Sequence, residues 1–231
     1  RGRAGGEYTK TNVKSLVKGF YSLATQNKKF VEVSSADLTM NSGTIISDLL
    51  TYAKSNGLEA NLNAGVQTIQ KEGKRIKVQT DEAEYFCKNV VVCSPDLVAK
   101  LFNKEIKISY APIAVVENVP DETRCFVELD YNKKNCINLL TKNGGYAQAG
   151  GISVTKKELV EPYMQYVIKE HKKRNPSIKV LDQYVGIKKE MTSGNQERNY
   201  LYHINEHENN IWSLVLGKYT LAFSSAPEFY R

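Results

Sequence analysis

The 231-residue chain predicts a mixed α/β fold in which two regions interleave, and three observations carry that prediction. Two stretches, Ile45-Ile46-Leu49-Leu50-Ala53 and Leu159-Val160-Met164-Val167-Ile168, repeat apolar residues at helical spacing. Between them Val90-Val91-Val92 is a continuous apolar run, as expected of a strand covered on both faces. The middle of the chain alternates short β-branched and aromatic runs with turn residues, the pattern of an antiparallel sheet.

Val13, Leu16, Val17 and Phe20 predict a first helix over 10–25, followed by a short strand over 30–33. Asn41 and Ser42 offer caps for a second helix, and Gly57 supplies its stop. A strand is expected over 58–62. A hairpin then joins 66–70 to 75–80 through Lys71-Glu72-Gly73-Lys74. Residues 85–92 read as one strand, and Pro95-Asp96 open a short helix through Leu101. The antiparallel layer takes strands over 106–118, 124–130 and 136–140. Gly144-Gly145 and Gly150-Gly151 punctuate the stretch after this layer. A helix over 156–173 closes at Asn175-Pro176, and strands are expected over 178–187, 199–204 and 211–216, with a turn at 205–210. From Lys218 the tail reads as a helix.

Composition is that of an ordinary globular chain, 41% apolar and 25% charged. No apolar run approaches the roughly 20 residues of a membrane helix, so no integral membrane segment is expected. The net charge of +7 comes from dispersed lysines, apart from the cluster 169–174 at a helix end where cations complement the dipole. No nucleic-acid motif accompanies it, so nucleic acid is not an expected partner. Cys87, Cys93, Cys125 and Cys136 lack zinc-ligand spacing, no metal site is expected, and a reducing, cytoplasmic setting is the simpler reading. The N-terminal Arg1-Gly2-Arg3-Ala4-Gly5-Gly6 has no signal-peptide pattern and reads as a chain entered partway. His203 and His207 flank the expected turn, a spacing that does not bring two rings together for a metal.

Four motifs carry a resemblance: Asn63-Ala64-Gly65-Val66 after a helix; Asn89-Val90-Val91-Val92-Cys93-Ser94-Pro95; Tyr184-Val185-Gly186-Ile187-Lys188-Lys189 followed by Arg198-Asn199-Tyr200; and Gly217-Lys218-Tyr219-Thr220. In this order they resemble the FAD-dependent oxidoreductases of the D-amino-acid-oxidase and glycerol-3-phosphate-dehydrogenase type, which have a glutathione-reductase-like fold. The resemblance implies a partial FAD-binding domain over 1–104 and 186–231, interleaved with an antiparallel-sheet substrate domain over 105–185. It implies FAD contacts at Val66, Cys93, Ser94, Pro95 and Gly217. Lys218, Arg198 and Lys188 are implied as the catalytic cations that hold an anionic, small-molecule substrate and stabilise charge on the flavin ring. Lys188 stands where the pattern has arginine, one glycine rather than two precedes Lys218, and Pro95 replaces a common glycine. No Gly-x-Gly-x-x-Gly occurs in the sequence, so the phosphate cradle of the first βαβ unit is missing from these residues. The reading is therefore a fragment of an enzyme that moves a hydride from an amine or alcohol carbon to flavin, with the electron acceptor unassigned. A non-catalytic protein-binding domain that keeps the fold is the alternative.

Overall fold

The computed structural model describes residues 10–11, 32–33, 40–121, 123–130, 135–142, 144–191 and 202–230. In chain order the elements are β1 (Lys10–Thr11), β2 (Glu32–Val33), α1 (Ser42–Ser55), β3 (Val66–Glu72), β4 (Arg75–Thr80), β5 (Glu84–Cys87), β6 (Val90–Val92) and α2 (Pro95–Phe102). They continue as β7 (Ile106–Glu117), β8 (Phe126–Asp130), β9 (Asn135–Lys142), β10 (Tyr146–Gly151), α3 (Val160–Arg174), β11 (Lys179–Met191), β12 (Tyr202–Glu208), β13 (Ile211–Leu216) and α4 (Ala222–Phe229). The 3-10 turns Lys157–Leu159 and Tyr219–Leu221 lead into α3 and α4. The chain forms two compact units, one containing Met40–Lys107 with Lys189–Arg231 and the other containing Ile108–Lys188.

The first unit begins with α1. Asn41 caps it by accepting a hydrogen bond from the Thr44 amide at 3.3 Å, and Gly57 ends it at φ +91°, where its N–H donates to the Lys54 carbonyl. Next, β3 and β4 form the expected hairpin around Gly73, whose φ of +61° favours glycine, and β5 extends the sheet in the order β3-β4-β5. A second sheet has the order β12-β13-β6, with β12 antiparallel and β6 parallel to β13. Val92, Val98, Met191 and Val215 form the core that joins this sheet to α2, with Ile69, Leu97, Phe102 and Ile106 packed around them.

The second unit is a five-stranded sheet in the order β11-β7-β10-β9-β8. On one face Ala114, Val116, Phe126, Leu139, Ala147 and Ala149 pack against Met164 and Ile168 of α3. Arg174, at the end of α3, is largely buried and forks across the Glu128 carboxylate of β8, with Nη2 to Oε1 at 2.6 Å and Nε to Oε2 at 3.1 Å. Its Nη1 reaches the Glu170 carboxylate at 3.0 Å. This pair of carboxylates makes the buried guanidinium tolerable.

Several sequence expectations are corrected. The segment 58–62 is not a strand; among the described residues it pairs with nothing, and Leu58 and Leu62 are 47% and 76% exposed. Residues 85–92 are two strands, because Lys88 and Asn89 carry the chain from the β4 sheet to the β13 sheet. Val91 is 38% exposed, so β6 is not covered on both faces. The strand expected over 199–204 is β12, and it runs on to Glu208, so the turn shrinks to Asn209 and Asn210. The glycine-punctuated stretch after Gly145 is β10, an inner strand of the five-stranded sheet. Alanine and glycine are poor strand formers, but α3 demands them: a Cβ on Gly151 would collide with the Tyr163 hydroxyl and lie 2.8 Å from the Cys136 carbonyl oxygen. The helix expected over 10–25 begins on a strand, β1, which pairs antiparallel with β2; its remainder lies outside the described residues.

Candidate functional site

Two of the implied motifs come together at one end of one sheet. In the parallel pair, Val90, Val91 and Val92 align with Ile211, Trp212 and Ser213. Cys93-Ser94-Pro95 therefore leave the carboxyl end of β6 beside β13, which runs on to Leu216 and delivers Gly217 and Lys218 at its own carboxyl end. In open α/β sheets ligands bind outside the carboxyl ends of parallel strands. Both strands pass directly into helical turns there. Ser94 caps α2, its Oγ accepting from the Leu97 amide at 3.4 Å, and Pro95 occupies the first helical position, where no N–H is needed. Gly217 is buried and Lys218 exposed, ahead of the Tyr219–Leu221 turn.

Val66 opens β3 opposite Thr80, beside a bulge between Val66 and Thr68. Its approach is fixed by a reciprocal pair: the Gly65 amide donates to Asp81 Oδ1 at 2.8 Å, and the Asp81 amide donates to the Gly65 carbonyl at 3.0 Å. Ile69 of β3 and Leu97 of α2 both pack against the core of Val92, Val98, Met191 and Val215, so the strand carrying Val66 and the helix begun by Ser94 share one core.

Lys188 is half-buried on β11 and belongs to the second unit. Arg198 lies outside the described residues. Beside these, the sequence reading missed three local arrangements. Asp96, in the first turn of α2 where an acid complements the helix dipole, is ion-paired with Lys189 of β11. Ser94 as the cap of α2 was legible in Ser-Pro-Asp, whereas the distant Lys189 left no local signal. In the second unit the Gln148 amide donates to the Tyr184 hydroxyl at 3.0 Å, across β7.

His207 is the third. Its ring stacks on Phe102 with centroids 3.6 Å apart, and Nε2 lies 2.7 Å from Ser213 Oγ. Burial, then the Lys104 charge, pushes its pKa down. A serine–histidine pair at this distance has the form of an activated nucleophile. Ser213 is fully buried, so no substrate reaches it, and the pair ties β12 to β13 instead. Among the described residues no cluster of three His, Cys, Asp or Glu side chains could hold a metal ion, and no helix is long and apolar enough to cross a membrane.

No known family profile and no curated relative matches the sequence. Solved structures do match. L-proline dehydrogenase from P. horikoshii superposes with a TM-score of 0.69 at 13% identity, covering 91% of this chain and 59% of that one. NikD, an amino acid oxidase of nikkomycin biosynthesis, gives 0.72 at 12% identity, covering 93% and 62%. This is the fold of the amino-acid oxidases. L-amino acid deaminase from Proteus vulgaris gives 0.68 at 11% identity over 92% of this chain and 63% of that one. The chain thus spans about three fifths of the length of these structures. The fold is the partial oxidase-type fold that the sequence resemblance implies.

Proposed function

We propose that these residues are part of an FAD-dependent oxidoreductase that moves a hydride from the carbon beside an amine, or an alcohol, to the flavin. The observation that supports it best is the fold, shared over nine tenths of the chain with a proline dehydrogenase and an amino acid oxidase. Those names favour the amine over the alcohol, and a small molecule as substrate. The four cysteines are thiols rather than disulfides, which fits a reducing cytoplasm.

The described residues fit part of the cofactor. Two parallel strands end side by side in helical turns, one begun by Ser94 and Pro95 and the other preceded by Gly217, and such ends present main-chain N–H groups to a dinucleotide. Cys93, Ser94, Pro95, Gly217 and, on the β3 hairpin, Val66 are the residues assigned to hold it. When bound, FAD supplies the two-electron acceptor. Lys218, Arg198 and Lys188 are assigned to orient the anionic end of the substrate and to stabilise negative charge, work that cations do well in a dry site. As a lysine, Lys188 offers a point charge rather than a planar fork, which favours a carboxylate held by one oxygen over a bidentate clamp.

The test is a visible absorbance spectrum after incubation with FAD and desalting, on this chain and on a longer version begun upstream of Arg1. Retained flavin bands that bleach anaerobically with an amino acid support the proposal. No flavin in either version refutes it and favours a protein-binding domain built on the same fold.

A further inference from the structure

The first turn of α2 carries a conflict that one distant lysine resolves. Pro95 has no N–H, and the Leu97 and Val98 amides already donate to Ser94, to its Oγ at 3.4 Å and to its carbonyl at 2.9 Å. The donor left over at this end of the helix is the Asp96 amide. The same residue carries the one carboxylate of that turn. The carboxylate stabilises the helix end, yet it also sets a negative charge beside the N–H that an anion would use.

Lys189 answers that charge. Its Nζ bonds Asp96 Oδ2 across 93 residues of chain, and both residues belong to the first unit. Packing brings them together. Met191, two residues further along β11, lies in the core that holds Val98 of α2 with Val92 and Val215. Residues two apart on a strand share a face, so the face of β11 anchored in the α2 core is the one that carries Lys189. The pair itself is open to solvent, with the Lys189 side chain 33% and the Asp96 side chain 65% exposed. An ion pair this exposed adds little to stability. Its effect is on the local field, because it leaves the first turn of α2 without an uncompensated negative side chain.

We propose that Lys189 is a positioning residue for the cofactor: by holding the Asp96 carboxylate it keeps the start of α2 receptive to the negatively charged dinucleotide. The lysine acts through Asp96 and makes no contact with the flavin. The inference rests on the oxidoreductase reading, which assigns the Ser94–Pro95 end of α2 to FAD, and it adds the condition under which that end can accept an anion.

Affinity for FAD, titrated by flavin fluorescence at low and high salt on the longer version begun upstream of Arg1, tests the inference. At low salt Lys189→Met should bind FAD about tenfold more weakly, the scale of one uncompensated charge a few ångströms from an anion in a wet setting. The gap should narrow at about 0.5 M salt, where such charges are screened. Lys189→Arg keeps the charge and should bind as wild type does. Asp96→Asn should bind at least as tightly as wild type, and adding it to Lys189→Met should restore the affinity. A pair that only braces the fold predicts the reverse, with weaker binding in both Asp96→Asn and the double variant, and that result overturns the inference. Equal affinity in Lys189→Met and wild type also overturns it. Urea unfolding without FAD shows whether each variant is folded, and Asp96→Asn decides the matter if Lys189→Met is not. Wild type that binds no FAD removes the oxidoreductase reading and the inference with it, whereas wild type that binds FAD no better than Lys189→Met removes the inference alone.

Discussion

We expect His171 to make this protein acid-sensitive. The ring lies fully buried in α3 against the five-stranded sheet, and burial, reinforced by the Arg174 charge, pushes its pKa down to about 3. Contacts with the Gly150 and Asn138 main chain and the Glu170 charge offset only part of this. In the unfolded chain the ring titrates near its ordinary 6.5. Above that value both states are neutral and the group is silent. As pH falls below it the unfolded chain takes up a proton that the folded chain refuses, so stability is lost from pH 6.5 downward until the folded ring also titrates, near 3. At about 1.4 kcal/mol per unit, moving to pH 5 costs about 2 kcal/mol. Urea unfolding at pH 7.5 and pH 5, in wild type and in His171→Gln, isolates the effect, because the other titrating groups are common to both proteins. The variant should be less stable at pH 7.5 but should lose about 2 kcal/mol less than wild type on acidification. An equal loss in the two proteins would refute the reasoning.

Removing the Arg174 guanidinium with Arg174→Met leaves Glu128 and Glu170 without their shared cation, and we expect a loss of about 3 kcal/mol in urea unfolding at neutral pH. Gly151→Ala places a methyl against the Tyr163 hydroxyl and the Cys136 carbonyl; thermal unfolding should show a loss of about 1–3 kcal/mol, whereas Gly150→Ala presses mainly on the movable Asn138 side chain and should cost less. Ser94→Ala removes the cap of α2, with a loss of about 1 kcal/mol, and weakened flavin retention in the longer protein if the α2 N-terminus serves the cofactor. In that protein Lys218→Met should slow anaerobic flavin reduction about a hundredfold with the flavin still bound, and an unchanged rate would take Lys218 out of the site.

The candidate site was legible where chemistry is local. Ser94, Pro95 and Asp96 announce a capped helix whatever surrounds them, and Gly217-Lys218 at the close of an apolar strand announces a strand end. The sequence placed Cys93-Pro95 and Gly217-Lys218 far apart. Their meeting depends on β6 choosing β13 as its parallel neighbour, and three valines specify burial without naming a partner. Ser213 and His207 are close in sequence, yet only packing shows that the serine is sealed from substrate.

By itself the sequence determined the elements whose signals lie within a few residues: α1 between Asn41 and Gly57, the hairpin turning at Gly73, α2 from Pro95-Asp96, the apolar side of α3, and β13. Helix caps, φ-positive glycines and period-3.6 stripes act over one or two turns of chain, so they survive without context. Sheet membership was decided only by tertiary structure. The Tyr-Ala-Gln-Ala-Gly-Gly of β10 becomes an inner strand because α3 needs small residues beneath Met164, while 58–62, with a better strand pattern, stays unpaired because a strand exists only through hydrogen bonds to a neighbour.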